Sequence, residues 1–356
     1  MENKLGKLLT TAFVTALVAL AIARLGTLRE NPLARHRSRI IMDTVVTIQI
    51  YESDSLQIER AVEAAFSEIE RLEGMLSVWL PSSDISKIND DAGSSLVSVS
   101  PETWQVIART QEISLLTDGA FEITVGAVMR LWDFQNQGAP IADQAALQRG
   151  LSFVDPHQVL LDSIRTKIGL RGRGAALDLG GAAKGYAVDK AVEVLRKKGV
   201  KTALVDAGGD IRLLGRKPLG ETWKIGIRHP RAQGEIIEVL EVDSGAVATS
   251  GDYERYFDRD GVRYHHILNP KTGMPARGVV SVTILAKTAL EADILSTAVF
   301  VLGPEKGMNL IEQLNKVEGI IYFEGPEKLR RLVSSGCPLS KKENELSTTP
   351  FSARRS

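Results

Sequence analysis

The sequence predicts an α+β fold, in which helices and strands are mixed without a regular β–α–β alternation. Two patterns along the chain lead to this fold class, and the composition indicates that the chain folds in water. The N-terminal part of the chain carries two long stretches with apolar residues at helical spacing. From about Leu160 the pattern changes to short apolar runs separated by glycine clusters. Hydrophobic residues make up 44% and charged residues 25% of the 356 residues, which is typical of a chain that folds in water.

The first predicted elements are one strand and two helices. The segment from Thr44 to Tyr51 alternates and is rich in β-branched residues, which is typical of a strand. Ser53 then offers an N-cap for a long core helix, whose apolar stripe ends at Leu76. Pro101 suits the first position of a second helix, which is predicted to end at Leu116.

Later in the chain, short strands alternate irregularly with two further helices. One helix is predicted from Ala182 to Lys198, and another from Leu290 to Leu302, where Gly303 and Pro304 follow. The clearest strands are Ala203 to Asp206, Ile211 to Leu214, Trp223 to Ile227, Ile236 to Val242 and Val279 to Ala286.

Charge and cysteine content bear on which partners and sites to expect. The 44 basic residues balance 44 acidic residues, so the charge of the whole chain gives no reason to expect a nucleic-acid partner. Cys337 is the single cysteine, which excludes a disulfide or a cysteine metal site within one chain.

Both ends of the chain are predicted to lie outside the folded domain. Two lysines precede an uncharged run from Leu8 to Ala23, and Arg24 follows, which is the layout of a cleaved signal peptide or an uncleaved membrane anchor. A buried amphipathic helix is the alternative, but the run has no polar face. We therefore expect a signal or anchor with a basic linker over residues 1–40, the domain over 41–333, and a polar, disordered tail over 334–356.

A glycine-rich segment from Ala175 to Asp189 (AALDLGGAAKGYAVD) is the first candidate site. A short strand runs into Gly180 and Gly181 and then into a helix, a geometry in which backbone amides can approach a phosphate. Lys184 falls in the first helical turn, where its charge opposes the helix dipole unless a phosphate or carboxylate lies nearby. A tight turn with a solvated lysine is the alternative, because the segment matches no standard nucleotide-binding loop.

A second candidate site lies on the helix predicted at EADILST. Asp293 and Thr297 are four residues apart and therefore share one helix face. A carboxylate and a hydroxyl are hard oxygen donors, which suit Mg²⁺ when phosphate oxygens and water complete its coordination. The alternative is a helix N-terminal acid and a threonine that bonds to the helix backbone.

Two further segments carry candidate residues. In YHHILNPKTG, His265 and His266 follow one another on a strand that runs into an Asn-Pro turn. Side chains at successive strand positions point to opposite faces, so at most one histidine faces a site. The segment TDGAFEIT combines a glycine turn with Phe121, which either lies over a planar ring or packs in a core.

Eight segments in this order resemble one protein family. They are MDT, LSVW, DGAFEIT, LDLGGAAKGYAVD, DAGGDI, ATSGDY, HHILNPKTG and EADILSTA, which lie between about Met42 and Phe323. Together they resemble the FAD:protein FMN transferases, the ApbE-type family once called thiamine biosynthesis lipoproteins. The resemblance implies a two-lobed α+β fold with FAD in a cleft between the lobes and Mg²⁺ bridging its pyrophosphate to the protein.

The resemblance also implies residue roles. The metal would be held by the backbone carbonyl of Gly181 and the side chains of Asp293 and Thr297. The residues implied in FAD binding are Asp178, Lys184, Met42, Trp79, Ala120, Phe121, Glu122 and Ile267. Trp79 and Glu122 depart mildly from the family pattern, which often has tyrosine and aspartate there.

The implied reaction is Mg²⁺-dependent transfer of FMN from FAD to a serine or threonine hydroxyl of an acceptor redox protein, with release of AMP. His265 or His266 is the candidate base. With the N-terminal segment, we expect a membrane-associated protein whose catalytic domain lies on the periplasmic or extracytoplasmic side.

Three alternatives stay open at this point. An FAD pyrophosphatase would use the same metal site with water as the nucleophile. A non-catalytic flavin-binding subunit of a redox complex would not need Lys184, Asp293 and Thr297, and a redox flavoenzyme would be expected to carry a Rossmann fingerprint. The stretch DSGAVAT resembles the acceptor motif of flavinylated proteins, with Thr249 at the acceptor position, but it runs into ATSGDY, so we favour a structural role.

Overall fold

The computed structural model describes residues 35–51, 55–326 and 328–340. The predicted signal or anchor before residue 35, the predicted N-cap Ser53 and the predicted tail beyond residue 340 lie outside these residues. Within the described ranges, no helix combines the length and apolar character needed to cross a bilayer.

An eight-stranded antiparallel sheet forms the centre of the fold and confirms the predicted α+β class. Its strands, in spatial order, are β1 (Arg35–Ile41), β2 (Thr44–Ile50), β6 (Ala203–Ala207), β7 (Asp210–Leu214), β10 (Gly245–Gly251), β13 (Val279–Ala286), β14 (Glu318–Phe323) and β15 (Arg330–Val333).

Three small antiparallel sheets complete the described β-structure. The first contains β3 (Val97–Ser98), β4 (Val159–Asp162) and β5 (Lys167–Leu170), the second is the hairpin of β8 (Trp223–Arg228) and β9 (Ile236–Val242), and the third is the hairpin of β11 (Tyr256–Arg259) and β12 (Val262–His265).

Helices cover one face of the central sheet. The described α-helices are α1 (Ser55–Leu76), α2 (Asp84–Asp90), α3 (Pro101–Leu116), α4 (Gly126–Met129), α5 (Gln144–Leu151), α6 (Ala183–Lys197), α7 (Ala289–Leu302) and α8 (Pro304–Gln313). Short 3₁₀ turns lie at Pro156–Gln158 and Pro218–Gly220. Helix α1 packs on α6, α6 packs on α7, and α7 packs on β10 and β13.

Strand β13 is buried along its whole length because both of its faces are covered. Val282 and Ile284 pack in the core beneath the helices. Val280 and Leu285 belong to a second apolar cluster, which includes Trp223 of the β8–β9 hairpin. A strand buried on both faces is mostly apolar, and the two polar residues of β13, Ser281 and Thr283, are both 0% exposed.

Residues 35–40 were predicted to be a linker, and that prediction is wrong for them. They form most of edge strand β1, which pairs along its length with β2. Arg37 and Arg39 form ion pairs with Glu59 and Glu63 of α1. Charged side chains are a common feature of edge strands, because they oppose pairing with another chain.

The folded part of the chain also continues past the predicted start of the tail at Ser334. The Ser334 hydroxyl donates to the Glu318 carboxylate of β14. Cys337 packs against the second apolar cluster, and Leu339 forms a β-bridge with Leu240 of β9. The prediction of disorder therefore does not hold for residues 334–340.

Two isoleucines on neighbouring strands give a matched test of this packing. Ile48 of β2 is 0% exposed and Ile40 of β1 is 83% exposed. We expect Ile48→Ala to lower the free energy of unfolding by about 2–5 kcal/mol, because it leaves a cavity. Ile40→Ala should change it by less than about 0.5 kcal/mol. Denaturant unfolding measures both, and equal effects of the two substitutions would contradict the described packing.

Candidate functional site

The candidate site lies where the first turns of α6 and α7 come into contact. A Cβ atom on Gly185 of α6 would lie 2.4 Å from the carbonyl oxygen of Ala289 and 2.8 Å from Cβ of Asp293, so only glycine allows this approach. The Gly185 amide donates a hydrogen bond to Asp293 Oδ2 at 3.1 Å. This contact places the first turn of α6, which carries Lys184, beside the Asp293 carboxylate.

The turn before α6 packs against the next turn of α7. A Cβ atom on Gly181 would lie 3.0 Å from Thr297 Oγ1 and 3.1 Å from the ring of Phe121. Thr297 Oγ1 also lies 3.3 Å from the Ser250 hydroxyl of β10. The structure thus brings together Gly181, Asp293 and Thr297, the three residues predicted to bind a metal.

A partly buried ion pair borders this junction. Lys184 Nζ donates to Asp210 Oδ2, and Asp210 is 2% exposed at the start of β7. Burial lowers the pKa of Lys184, but the carboxylates of Asp210 and Asp293 raise it by more, so the net shift is upward and the lysine stays charged. Asp210 was not predicted as a site residue, although the acid that directly follows the Gly208–Gly209 turn offered a signal in the sequence.

The Asp293 carboxyl is 4% exposed, and burial together with the negative charge of Asp210 raises its pKa to about 7. Such a carboxylate is stabilised by a positive partner. No described group of three or more His, Cys, Asp or Glu side chains could hold a metal by itself. Mg²⁺ fits Asp293 and Thr297 nonetheless, since it commonly uses one or two protein carboxylates with substrate phosphates and water.

The two histidines lie in different environments. His265 is 3% exposed, its Nε2 donates to the Ala276 carbonyl oxygen at 2.8 Å, and its Nδ1 accepts from the Ile267 amide at 3.3 Å. Burial lowers the His265 pKa to about 4, so the ring is neutral at pH 7. Because both ring nitrogens are engaged, His265 holds the following loop in place and is a poor candidate for a base.

His266 keeps one ring nitrogen available. Its Nδ1 lies 3.3 Å from the carbonyl oxygen of Arg255, so Nδ1 carries the hydrogen and Nε2 keeps its lone pair. Burial lowers the His266 pKa well below its usual value, and the charges of Arg255 and Lys184 lower it further. Because Nε2 keeps its lone pair, whereas both ring nitrogens of His265 are engaged, His266 is the candidate base of the pair.

Arg255 is a second residue that was not predicted from the sequence. Its guanidinium lies 3.9 Å from the position of a Cβ atom on Gly180, and its carbonyl accepts from the His266 amide at 3.0 Å. A positive charge therefore stands beside the glycine turn. Asp178, at the start of that turn, accepts from the Gly180 amide at 2.7 Å and shapes the backbone there.

Most of the residues predicted around the flavin are buried. Ala120, Phe121, Glu122 and Ile267 are each 5–6% exposed, and Phe121 touches the Gly181 turn. The Glu122 carboxylate accepts from the Ser114 hydroxyl at 2.6 Å and from the Thr124 hydroxyl at 2.8 Å. Glu122 therefore has protein partners already and fixes the turn that carries Phe121.

Two predicted flavin contacts lie on other segments of the chain, Met42 between β1 and β2 and Trp79 just after α1. Met42 occupies the β1–β2 turn with φ 56°, and its amide donates to Glu73 at 2.9 Å. Trp79 is 83% exposed. In the described part of the chain neither residue has a hydrogen bond to the α6–α7 junction.

Thr249 lies inside strand β10, where its hydroxyl is 2.9 Å from the hydroxyl of Thr283 on β13. A hydroxyl in the middle of a paired strand is not presented to another active site. The structure supports the structural role that we favoured for the DSGAVAT stretch.

A family model and curated relatives both match this sequence over most of its length. The ApbE family matches residues 42–321. An FAD:protein FMN transferase of Klebsiella pneumoniae is 33% identical over 302 residues, which cover 82% of this chain and 92% of that protein. One of Treponema pallidum is 35% identical over 309 residues, which cover 82% and 84%.

The fold of this chain is also similar to that of a solved ApbE structure. The crystal structure of the ApbE protein of Thermotoga maritima aligns with a TM-score of 0.79 and 36% identity, covering 85% of this chain and 97% of that one. Since the family match extends from the β1–β2 turn to β14 and includes the whole α6–α7 junction, this chain belongs to the ApbE family.

Proposed function

We propose that this protein transfers FMN from FAD to a serine or threonine hydroxyl of an acceptor protein, with Mg²⁺ as the metal and AMP as the leaving group. The observation that carries the proposal is the convergence of Gly181, Lys184, Asp293 and Thr297 at the α6–α7 junction. The relatives named FAD:protein FMN transferase support the choice of donor and acceptor class.

The charges at the junction suit a pyrophosphate with a divalent cation. Lys184 faces two carboxyl groups, Asp210 and Asp293, and their ionised forms would repel a bare pyrophosphate. Held by Asp293, Thr297 and the Gly181 carbonyl, Mg²⁺ would neutralise the pyrophosphate oxygens and stabilise the departing phosphate of AMP. Lys184 adds a positive charge whose position Asp210 fixes. Arg255 adds another beside the turn at Gly180.

In the transfer step, the acceptor hydroxyl oxygen forms a bond to the FMN-side phosphorus of FAD. The bond from that phosphorus to the bridging oxygen breaks, and AMP leaves with the electron pair. His266 Nε2 takes the hydroxyl proton, since the neutral ring keeps its lone pair there. The product is a phosphoester that links FMN to the acceptor.

The choice between transfer and hydrolysis depends on the acceptor. A docked acceptor segment excludes water and raises the effective concentration of its hydroxyl. We expect slow AMP release from FAD and Mg²⁺ alone, and faster release with an acceptor protein whose mass increases by one FMN unit. Fast AMP release that no acceptor changes, with free FMN as the only flavin product, would favour a pyrophosphatase.

Two histidine variants make this assay specific to the site. His266→Ala should slow transfer by about 10²–10⁴-fold through loss of the base. His229→Ala is the control, because His229 lies at the end of the β8–β9 hairpin and its Nδ1 accepts from the amides of Arg231 and Ala232. Equal losses in both variants would point to a general effect on folding and would contradict the role of His266.

We also propose that the domain works outside the cytoplasm, on membrane-associated redox proteins. The support is the layout of residues 4–24, in which lysines precede an uncharged run and an arginine follows. A reporter enzyme that is active only after export, fused after residue 40, should show activity. Activity confined to a cytoplasmic reporter at the same position would overturn this location.

A further inference from the structure

The helices α6 and α7 cap each other. Asp293 of α7 accepts from the Gly185 amide in the first turn of α6 at 3.1 Å. In return, Asp189 of α6 accepts from the amides of Ala289 and Leu290, the first residues of α7, at 2.9 and 3.0 Å. A carboxylate at a helix N-terminus satisfies free amides and interacts favourably with the helix dipole.

We propose that Asp189 is a positioning residue for the metal site, which holds α7 so that Asp293 and Thr297 face the pyrophosphate. The inference rests on the proposed function. Ala289, which Asp189 binds, stands one turn before Asp293 and two turns before Thr297, so these residues share a helix face. A displacement of the first turn of α7 therefore moves both metal ligands.

Arg212 connects this arrangement to the central sheet. Its Nε lies 3.0 Å from Asp189 Oδ1, and the two side chains are 17% and 14% exposed. Arg212 belongs to β7, the strand that begins with Asp210, the partner of Lys184. Through one carboxylate, α6, α7 and β7 are fixed together, and each of the three carries a charged residue of the site.

Asp189 is not itself expected to bind the cation. Its Oδ1 interacts with the Ala289 amide and Arg212, and its Oδ2 accepts from the Leu290 amide. Supporting residues of this kind typically affect metal affinity or activity by about 10–100-fold when they are replaced.

The test uses the purified full-length protein with FAD, and Mn²⁺ as the probe. Mn²⁺ binding is followed by electron paramagnetic resonance of the free ion, and amide exchange at Ala289 and Leu290 is followed by mass spectrometry. We expect Asp189→Asn to weaken Mn²⁺ binding by about 10-fold or more. Exchange at the first turn of α7 should become faster, because its cap is weakened.

Asp162→Asn is the matched control. Asp162 accepts from the amides of Ile164 and Arg165 at 3.1 and 3.0 Å and pairs with Arg165, but it lies on the small sheet of β3, β4 and β5. This control should bind Mn²⁺ like the wild type. Arg212→Gln, which keeps the Asp189 cap but removes its link to β7, should weaken binding in the same direction and tests the proposal even if Asp189→Asn does not fold.

The outcomes separate this inference from the proposed function. If the wild type fails to bind Mn²⁺, the metal site itself is wrong and the role of Asp189 falls with it. If the wild type binds and Asp189→Asn or Arg212→Gln binds equally well, Asp189 only stabilises the fold and the inference is overturned.

Discussion

The contact between α6 and α7 at Gly185 is the constraint on which the site depends. A Cβ atom at this position would lie 2.4 Å from the carbonyl oxygen of Ala289, so the two helices approach as closely as backbone allows. Lys184 directly precedes Gly185, and the Asp293 carboxylate accepts a hydrogen bond from the Gly185 amide. The same contact therefore fixes the positions of the Lys184 ammonium and the Asp293 carboxylate. Gly181, in the turn before α6, extends this close packing to Thr297 and Phe121.

Burial strengthens the interactions among the charged groups at this junction. Asp210 and Asp293 are 2% and 4% exposed, and their mutual repulsion together with burial raises the pKa of Asp293 to about 7. The positive charge of Lys184 offsets part of this repulsion. In the proposed function, a divalent cation would offset the negative charge of these carboxylates and so reduce the repulsion that a pyrophosphate would otherwise meet. The protein thus provides a site whose electrostatics favour the two ligands together.

Much of the fold could be predicted from local pattern. The helices over α3, α6 and α7 were located to within about one residue, because capping residues and apolar stripes mark them in the sequence. Strand β1 and residues 334–340 were missed because their stabilising partners are distant: the arginines of β1 pair with α1, and Leu339 pairs with Leu240 of β9. No local pattern distinguishes a basic linker from a basic edge strand whose partner is a helix that follows it.

The candidate site shows the same division. The i,i+4 spacing of Asp293 and Thr297 predicted that they share one helix face, and both lie on α7. The prediction that His265 and His266 share a strand is wrong for His266, because β12 ends at His265. Which histidine keeps a free nitrogen depends on the Ala276 and Arg255 carbonyls, which only the folded chain brings to them.

Anomalous diffraction from crystals grown with FAD and Mn²⁺ tests the central claim most directly. We predict a Mn²⁺ peak in coordination contact with Asp293, Thr297 and the FAD pyrophosphate, whereas a bound FAD without a metal peak at the α6–α7 junction would contradict the account.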